Sequence, residues 1–298
     1  MAPRKKRLDD KHQLDLFADS QDVCDRNAVV QSLLKRDVLG AGSAIKRLAA
    51  ALPTDSMLVH GATLHAHLVT PVKAIPDHAS AASELARLTD TVFPAAEQLF
   101  GASSALKWIR SDWRGLAGRI SGLEFDRRWP EVHSAALLCA LSLWEEGLAT
   151  ALQVPNWRRL ESPLLWVAQC RFHLEGLETA WPLLAELSWL APARFAHLAP
   201  ELPAPGLHRL QGAFEREFHS TVTDYVWFPA WSLIAYPDLH RVLASASGAD
   251  SAPERCFRTV LDLLILERKG LQSEMLQKRK ELHEQSPELF CFFMSARG

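Results

Sequence analysis

Apolar residues spaced for helices, and interrupted by prolines at short intervals, constrain the fold of this chain more than any other feature. From Val23 onward, apolar side chains recur three and four positions apart, for example at Leu160, Leu164 and Val167. Because proline ends a helix or begins the next one, this spacing predicts many short helices joined by tight turns. The sequence has no Asn-Gly or Asp-Gly hairpin turn and no cleanly alternating β-branched run. We therefore predict an all-α fold.

Three segments share one pattern, in which a helix, a tight turn, a returning helix and a proline follow one another. In the first segment, the two predicted helices cover residues 28–36 and 42–52. In the second, a helix over 164–174 is followed by a returning helix through 187. In the third, a helix over 256–269 is followed by a returning helix through 282. From turn to proline the segments span 16, 16 and 17 residues, and they end at Pro53, Pro192 and Pro287. Each segment is thus predicted to be a helical hairpin.

This hairpin pattern resembles the tetratricopeptide repeat, in which two antiparallel helices cross at a small residue and a proline ends each unit. Ala44 and Ala180 are small residues at suitable positions. The stretches between the hairpins do not repeat every 34 residues, so the repeats are degenerate. We expect irregular helical hairpins stacked as a tetratricopeptide-like α-solenoid, with an all-α globular domain as the alternative.

Composition along the chain predicts four segments. Residues 1–20 are expected to be a flexible basic arm, and residues 21–245 a helical-repeat body. The small polar residues 246–251 predict a short linker, and residues 252–298 a C-terminal hairpin cap. Asp250 or Ser251 is expected to cap the first helix of that hairpin, with Pro253 and Glu254 in its first turn.

The N-terminal segment contains an apolar pentapeptide in polar surroundings. Its five residues are Gln13, Leu14, Asp15, Leu16 and Phe17. All five positions match a short motif that the peptide resembles, by which bacterial DNA polymerases, repair proteins and some mobile-element proteins dock on the DNA sliding clamp. The resemblance implies that Leu16 and Phe17 enter a hydrophobic cleft, while Leu14 contacts its rim and the Gln13 amide sets the register. The alternatives are a helix or strand that packs on the body, and a different linear motif.

Four basic residues precede the pentapeptide, namely Arg4, Lys5, Lys6 and Arg7. We expect them to be an electrostatic accessory that speeds association or touches DNA weakly, because charges on a flexible arm are easily screened and read no bases. The whole chain has a net charge of -2, which provides no general attraction for nucleic acid.

Residues that could perform chemistry are scattered. His60, His65 and His67 fall close together, but helical positions two apart diverge and no carboxylate follows nearby, so we predict no metal site. Cys170 and His173 lie three positions apart without an acid partner, which favours a packed cysteine beside a surface histidine. No P-loop, metalloprotease or serine-hydrolase motif is present. We predict no enzymatic activity and no cofactor.

The densest aromatic patch contains Trp227, Phe228 and Trp231. Such residues most often fill the core between helices, and this is the favoured interpretation. The alternative is an aromatic groove that binds a peptide or a base.

Two further features predict a cytoplasmic protein. The five cysteines are scattered and never spaced as Cys-x-x-Cys, which suits a reducing compartment. The basic start lacks the apolar stretch of a secretory signal, and no apolar run is long enough to span a membrane.

Together these patterns predict a non-enzymatic bacterial adaptor. It would dock on the sliding clamp through residues 13–17 and hold a second, unidentified protein on its helical body, in replication, repair or a mobile-element or defence context. The alternative is a stand-alone interaction scaffold, or a subunit of a defence or toxin-control complex, that does not bind the clamp.

Overall fold

The computed structural model describes residues 10–218 and 221–297, with side chains from residue 21 onward. Helices joined by short turns make up most of these residues, and no strand occurs among them, which confirms the all-α prediction. The chain divides into two compact units. Unit 1 comprises Met1–Leu123 and Glu131–His133, and unit 2 comprises Glu124–Pro130 and Ser134–Gly298. No helix in the described part of the chain is long and apolar enough to cross a membrane.

The helices of unit 1 follow one another with short connections. They are α1 (Asp10–Leu34), α2 (Val38–Ala51), α3 (Met57–Val69), α4 (His78–Ala86), α5 (Phe93–Phe100) and α6 (Ala102–Arg119). A π-helical turn, Arg87–Val92, continues α4 into α5. Helix α1 packs against α2 and α3, and α5 packs against α3 and α6. Leu33, Leu48 and Leu64 are fully buried where these helices meet.

Helix α1 starts earlier than the sequence analysis expected. It begins at Asp10 and includes residues 13–17, whereas a flexible arm was predicted up to residue 20. No glycine or proline occurs between Asp10 and Leu34, so nothing in the local sequence interrupts the helix. The side chains of residues 10–20 lie outside the described part of the structure, as do residues 1–9 with the basic cluster.

The first predicted hairpin is present as α1 and α2, with a shorter turn than expected. The Asp37 carboxylate accepts a hydrogen bond from the Gly40 amide at 3.0 Å and caps α2, which therefore begins at Val38. Gly42 then lies inside α2, where a side chain would meet the His65 ring at 3.0 Å. The absence of a Cβ at Gly42 thus lets α3 approach α2 closely.

Unit 2 contains the remaining helices. They are α7 (Ser134–Ala140), α8 (Trp144–Leu152), α9 (Glu161–Glu175), α10 (Leu177–Leu190), α11 (Pro192–Glu201), α12 (Pro205–Phe218), α13 (Phe228–Ala235), α14 (His240–Leu243), α15 (Ala252–Lys269), α16 (Gln272–Gln285) and α17 (Pro287–Ser295). Consecutive helices from α7 to α11 contact one another, and α10 also contacts α13 and α14.

The second and third predicted hairpins correspond to α9–α10 and α15–α16. Each turns at a glycine with positive φ, Gly176 at 90° and Gly270 at 71°, a conformation that glycine adopts without steric cost. Pro287 ends the third hairpin but also starts α17, so the C-terminal segment contains three helices and is more than the expected hairpin. The Ser251 hydroxyl caps α15 at the Glu254 amide, as predicted.

The segment predicted to be a flexible linker is held in place by two buried carboxylates. Glu186 accepts a hydrogen bond from the Ser247 amide, and Glu254 accepts from the Gly248 and Asp250 amides, each at 2.7 Å. Both glutamates are only 2% exposed. Because several backbone groups of the segment have protein partners, it is a fixed loop, and the linker prediction is corrected.

Candidate functional site

A cavity of about 480 Å³ in unit 1 concentrates charged side chains. Its charged lining residues are Arg36, Lys73, Arg87, Arg119, Glu84 and Asp112, joined by His67. They come from α3, α4, α6, the turns after α1 and α4, and the segment that follows α3. The fold thus brings together residues that are far apart in sequence.

Arg36 anchors one end of this cluster. It lies in the α1–α2 turn with φ of 55°, and both ends of its guanidinium group donate to the Asp112 carboxylate. Its Nη2 also donates to the Trp108 carbonyl at 2.7 Å, and the guanidinium lies 4.3 Å from the centre of the Trp108 ring. The Trp108 indole N–H donates in turn to the Leu33 carbonyl at 2.8 Å. These bonds tie the end of α1 to α6.

His67 links Asp112 to a second arginine. Its Nε2 lies 3.2 Å from the Asp112 carboxylate, and its Nδ1 lies 3.1 Å from the Arg87 guanidinium. Because arginine can only donate, Nδ1 is the acceptor, and Nε2 carries the proton that it donates to Asp112. From the sequence no carboxylate was expected near His67, and Asp112 on α6 corrects that expectation.

The network continues from Arg87 to Arg119. Arg87 binds both oxygens of Glu84, at 2.8 and 3.1 Å, and the Arg119 guanidinium binds the same carboxylate at 3.2 Å. Arg119 also donates to the Lys73 carbonyl at 3.1 Å. Positive and negative groups therefore alternate along one wall of the cavity.

Both carboxylates of the network favour the charged form. Burial would raise the pKa of Asp112, but the hydrogen bonds from His67 and Arg36 outweigh it and hold that pKa below its ordinary value of 3.8. The Arg87 hydrogen bond likewise holds the pKa of Glu84 below 4.5. At neutral pH four basic side chains and two carboxylates thus give the cavity lining a net charge of +2.

The aromatic patch of the sequence lies inside unit 2. Phe228 and Trp231 are each 1% exposed and contact the buried rings of Phe195 and Phe214, while Trp227 is half-buried beside them. Burial of such large rings contributes strongly to stability, which explains their position. The groove interpretation is corrected, because Phe228 and Trp231 are not accessible to a ligand.

The predicted packed cysteine, Cys170, is fully buried. Its sulfur lies 3.4 Å from that of Cys139, and Gly147 leaves room for both, since a Cβ there would approach each sulfur within 3.4 Å. His173 stacks on Trp144 with ring centres 4.0 Å apart. His173 is therefore a surface side chain that contacts an aromatic ring. The two thiols are buried in the core.

Among the described residues, no group of three or more His, Cys, Asp and Glu side chains is placed to hold a metal ion. No protein-family model matches the sequence, and comparisons with curated proteins and with solved structures find no match.

The charged network of unit 1 was not predicted from the sequence. One signal was available, since Asp112 follows Trp108 by four positions on α6 and therefore shares its inward face. A carboxylate on the buried face of a helix requires a partner, which could have directed attention to a basic residue elsewhere in the chain.

Proposed function

We propose that this protein is a non-enzymatic adaptor that docks on a bacterial DNA sliding clamp through residues 13–17 and holds a protein partner on its helices. The observation that carries the proposal is the match of all five residues to the clamp-docking motif. Apolar side chains of a short peptide that enter a cleft supply most of its affinity.

The helical backbone of α1 adds a condition to this proposal. The docking motif binds in an extended form, so the beginning of α1 must unwind when the clamp binds. Helix ends open at a lower cost in free energy than helix centres, and residues 13–17 lie in the first turns of α1. Binding of micromolar strength is therefore expected, since part of the contact energy offsets the ordering of the extended segment.

The packing of consecutive helices supports the role of the remaining chain. In unit 2, each helix from α7 to α11 contacts the next, as in repeat proteins that present surfaces to partners. We propose that these hairpins are degenerate tetratricopeptide-like repeats of an α-solenoid, and that the adaptor acts in the cytoplasm on replication, repair or mobile-element DNA.

The proposal is tested by titrating purified clamp with the full chain and with a double variant, Leu16→Ala with Phe17→Ala. We expect micromolar binding by the wild type and its loss in the double variant. Val23→Ala is the matched control, because Val23 lies on the same helix, is half exposed and is outside the motif. Equal binding by all three proteins, or none by the wild type, would contradict the proposal.

The stand-alone scaffold remains the alternative, and the packing of α1 against α2 and α3 favours it. In that case residues 13–17 would stabilise unit 1. The double variant would then lower the melting temperature, and the wild type would not bind the clamp.

A further inference from the structure

We propose that the charged cavity of unit 1 binds a small phosphate monoester, with the phosphate held by Lys73, Arg87 and Arg119. This site is separate from the docking peptide and does not depend on it. The cavity offers unused hydrogen-bond donors, a positive charge and a partly apolar wall.

Unused donors line the cavity. An arginine side chain has five N–H groups, and Arg87 uses only Nε and Nη2 for Glu84 and His67. Its Nη1 has no hydrogen-bond partner among the described residues. Arg119 donates through Nη1 and Nη2, and its Nε has no hydrogen-bond partner among the described residues. The Lys73 side chain is exposed, and only its carbonyl takes part in the network.

The charge of the cavity suits a dianion. Four basic side chains and two carboxylates line it, so the lining has a net charge of +2. A phosphate monoester carries a charge of about -1.5 to -2 at pH 7, and a single carboxylate only about -1.

The rest of the wall suits an organic group attached to that phosphate. Leu68, Pro71 and Val72 contribute apolar surface to the same cavity, and the buried Leu88 lies behind it. Its volume of about 480 Å³ lies within the range of about 300 to 1,000 Å³ that is common for small-molecule sites. An inorganic ion would leave most of this space and the apolar surface unused.

The test is calorimetric titration of the full chain with phenyl phosphate, inorganic phosphate and phenol, at fixed ionic strength. We expect phenyl phosphate to bind more tightly than inorganic phosphate, and phenol not to bind. Absence of binding by phenyl phosphate at millimolar concentration would overturn the proposal. Equal affinity of the ester and the inorganic ion would overturn the assignment of an organic ligand.

Lys73→Ala is the decisive variant, because it removes a donor while leaving the backbone carbonyl that Arg119 uses. We expect its affinity for phenyl phosphate to fall about tenfold, the effect of losing one charge-assisted hydrogen bond. Lys107→Ala is the matched control, since Lys107 is an exposed lysine on α6 that does not line the cavity. Arg119→Lys adds a second variant, which should weaken binding while retaining the positive charge. Equal affinities of the Lys73 and Lys107 variants would overturn the proposal.

Discussion

Units 1 and 2 place their charged side chains differently. Around its cavity, unit 1 joins arginines, carboxylates and a histidine into one network, whereas the centre of unit 2 is a cluster of aromatic rings. Unit 2 also buries charge, but Glu186 and Glu254 are fully engaged with backbone amides and with Arg158 and Arg258. In unit 1, by contrast, the charged side chains line a cavity of about 480 Å³. A charged network therefore indicates a binding site where it lines a space large enough for a ligand.

The largest expected effect is in the aromatic cluster of unit 2. Trp231→Ala should lower the free energy of unfolding by about 3 to 5 kcal/mol, because Trp231 is fully buried and its loss leaves a cavity. Trp227→Ala is the control and should cost clearly less, since Trp227 is half-buried. Urea denaturation followed by circular dichroism measures both. A larger loss for the Trp227 variant would refute this description of the core.

The next effect concerns the pH dependence of unit 1. Burial, followed by the charge of His78, lowers the pKa of His133 from 6.5 to about 4. The unfolded chain therefore takes up this proton first as the pH falls, so stability decreases between pH 6.5 and about 4. The loss should reach about 2 to 3 kcal/mol.

This pH effect can be assigned with a variant. His133→Gln should flatten the profile of unfolding free energy between pH 6.5 and 4. His173 of unit 2 also has a lowered pKa because of burial, but it is largely exposed, so His173→Gln should leave the slope nearly unchanged. Parallel profiles for the wild type and the His133 variant would show that His133 does not cause the slope.

A smaller effect is expected when the unit 1 network is broken at Arg36. Arg36→Ala should cost about 2 kcal/mol, because it removes the bonds to Asp112 and the stacking on Trp108. Arg128→Ala in unit 2 is the matched control. The Arg128 side chain, which forms an ion pair with Asp126, is 80% exposed, so losing this pair should lower the free energy of unfolding by under about 1 kcal/mol. Similar losses in urea denaturation would remove the distinction between the two units.

The smallest effect is local. In the wild type, each carboxylate oxygen of Glu254 accepts a hydrogen bond from one backbone amide. Glu254→Gln retains only one acceptor oxygen, so it should lower the free energy of unfolding by about 1 kcal/mol. Hydrogen exchange at Gly248 and Asp250 should accelerate, while exchange in unit 1 stays unchanged. Burial would raise the pKa of Glu254, but the hydrogen bonds from Arg258, Gly248 and Asp250 together outweigh it and hold that pKa below 4.5. The wild-type loop should therefore loosen only as the pH falls below 4.5. Unchanged exchange in the variant would show that Glu254 does not hold the loop.

Local features of the fold could be predicted from the sequence. Apolar spacing gives the helices, and the turns at Gly176 and Gly270 depend on a single residue type. The cap at Ser251 is likewise a local signal. These features need no knowledge of distant residues.

Tertiary features could not be predicted in this way. Residues 246–251 have the composition of a linker, yet the amide of Ser247 is bound by Glu186, 61 residues away. His67 lies on α3, and its acid partner Asp112 lies on α6, three helices later along the chain. Nothing in the sequence near His67 therefore indicated this carboxylate. Sequence spacing reveals neighbours along one helix, but it does not reveal which helices meet.

The most direct test of the proposed docking is photocrosslinking from position 17. A benzophenone amino acid replaces Phe17 in the full chain, and the same group at Val23 is the control. We predict that position 17 crosslinks to one hydrophobic cleft of the sliding clamp and that position 23 does not. Crosslinks from position 17 only to α2 or α3 of the same chain would contradict the account, because residues 13–17 would then be part of the fold.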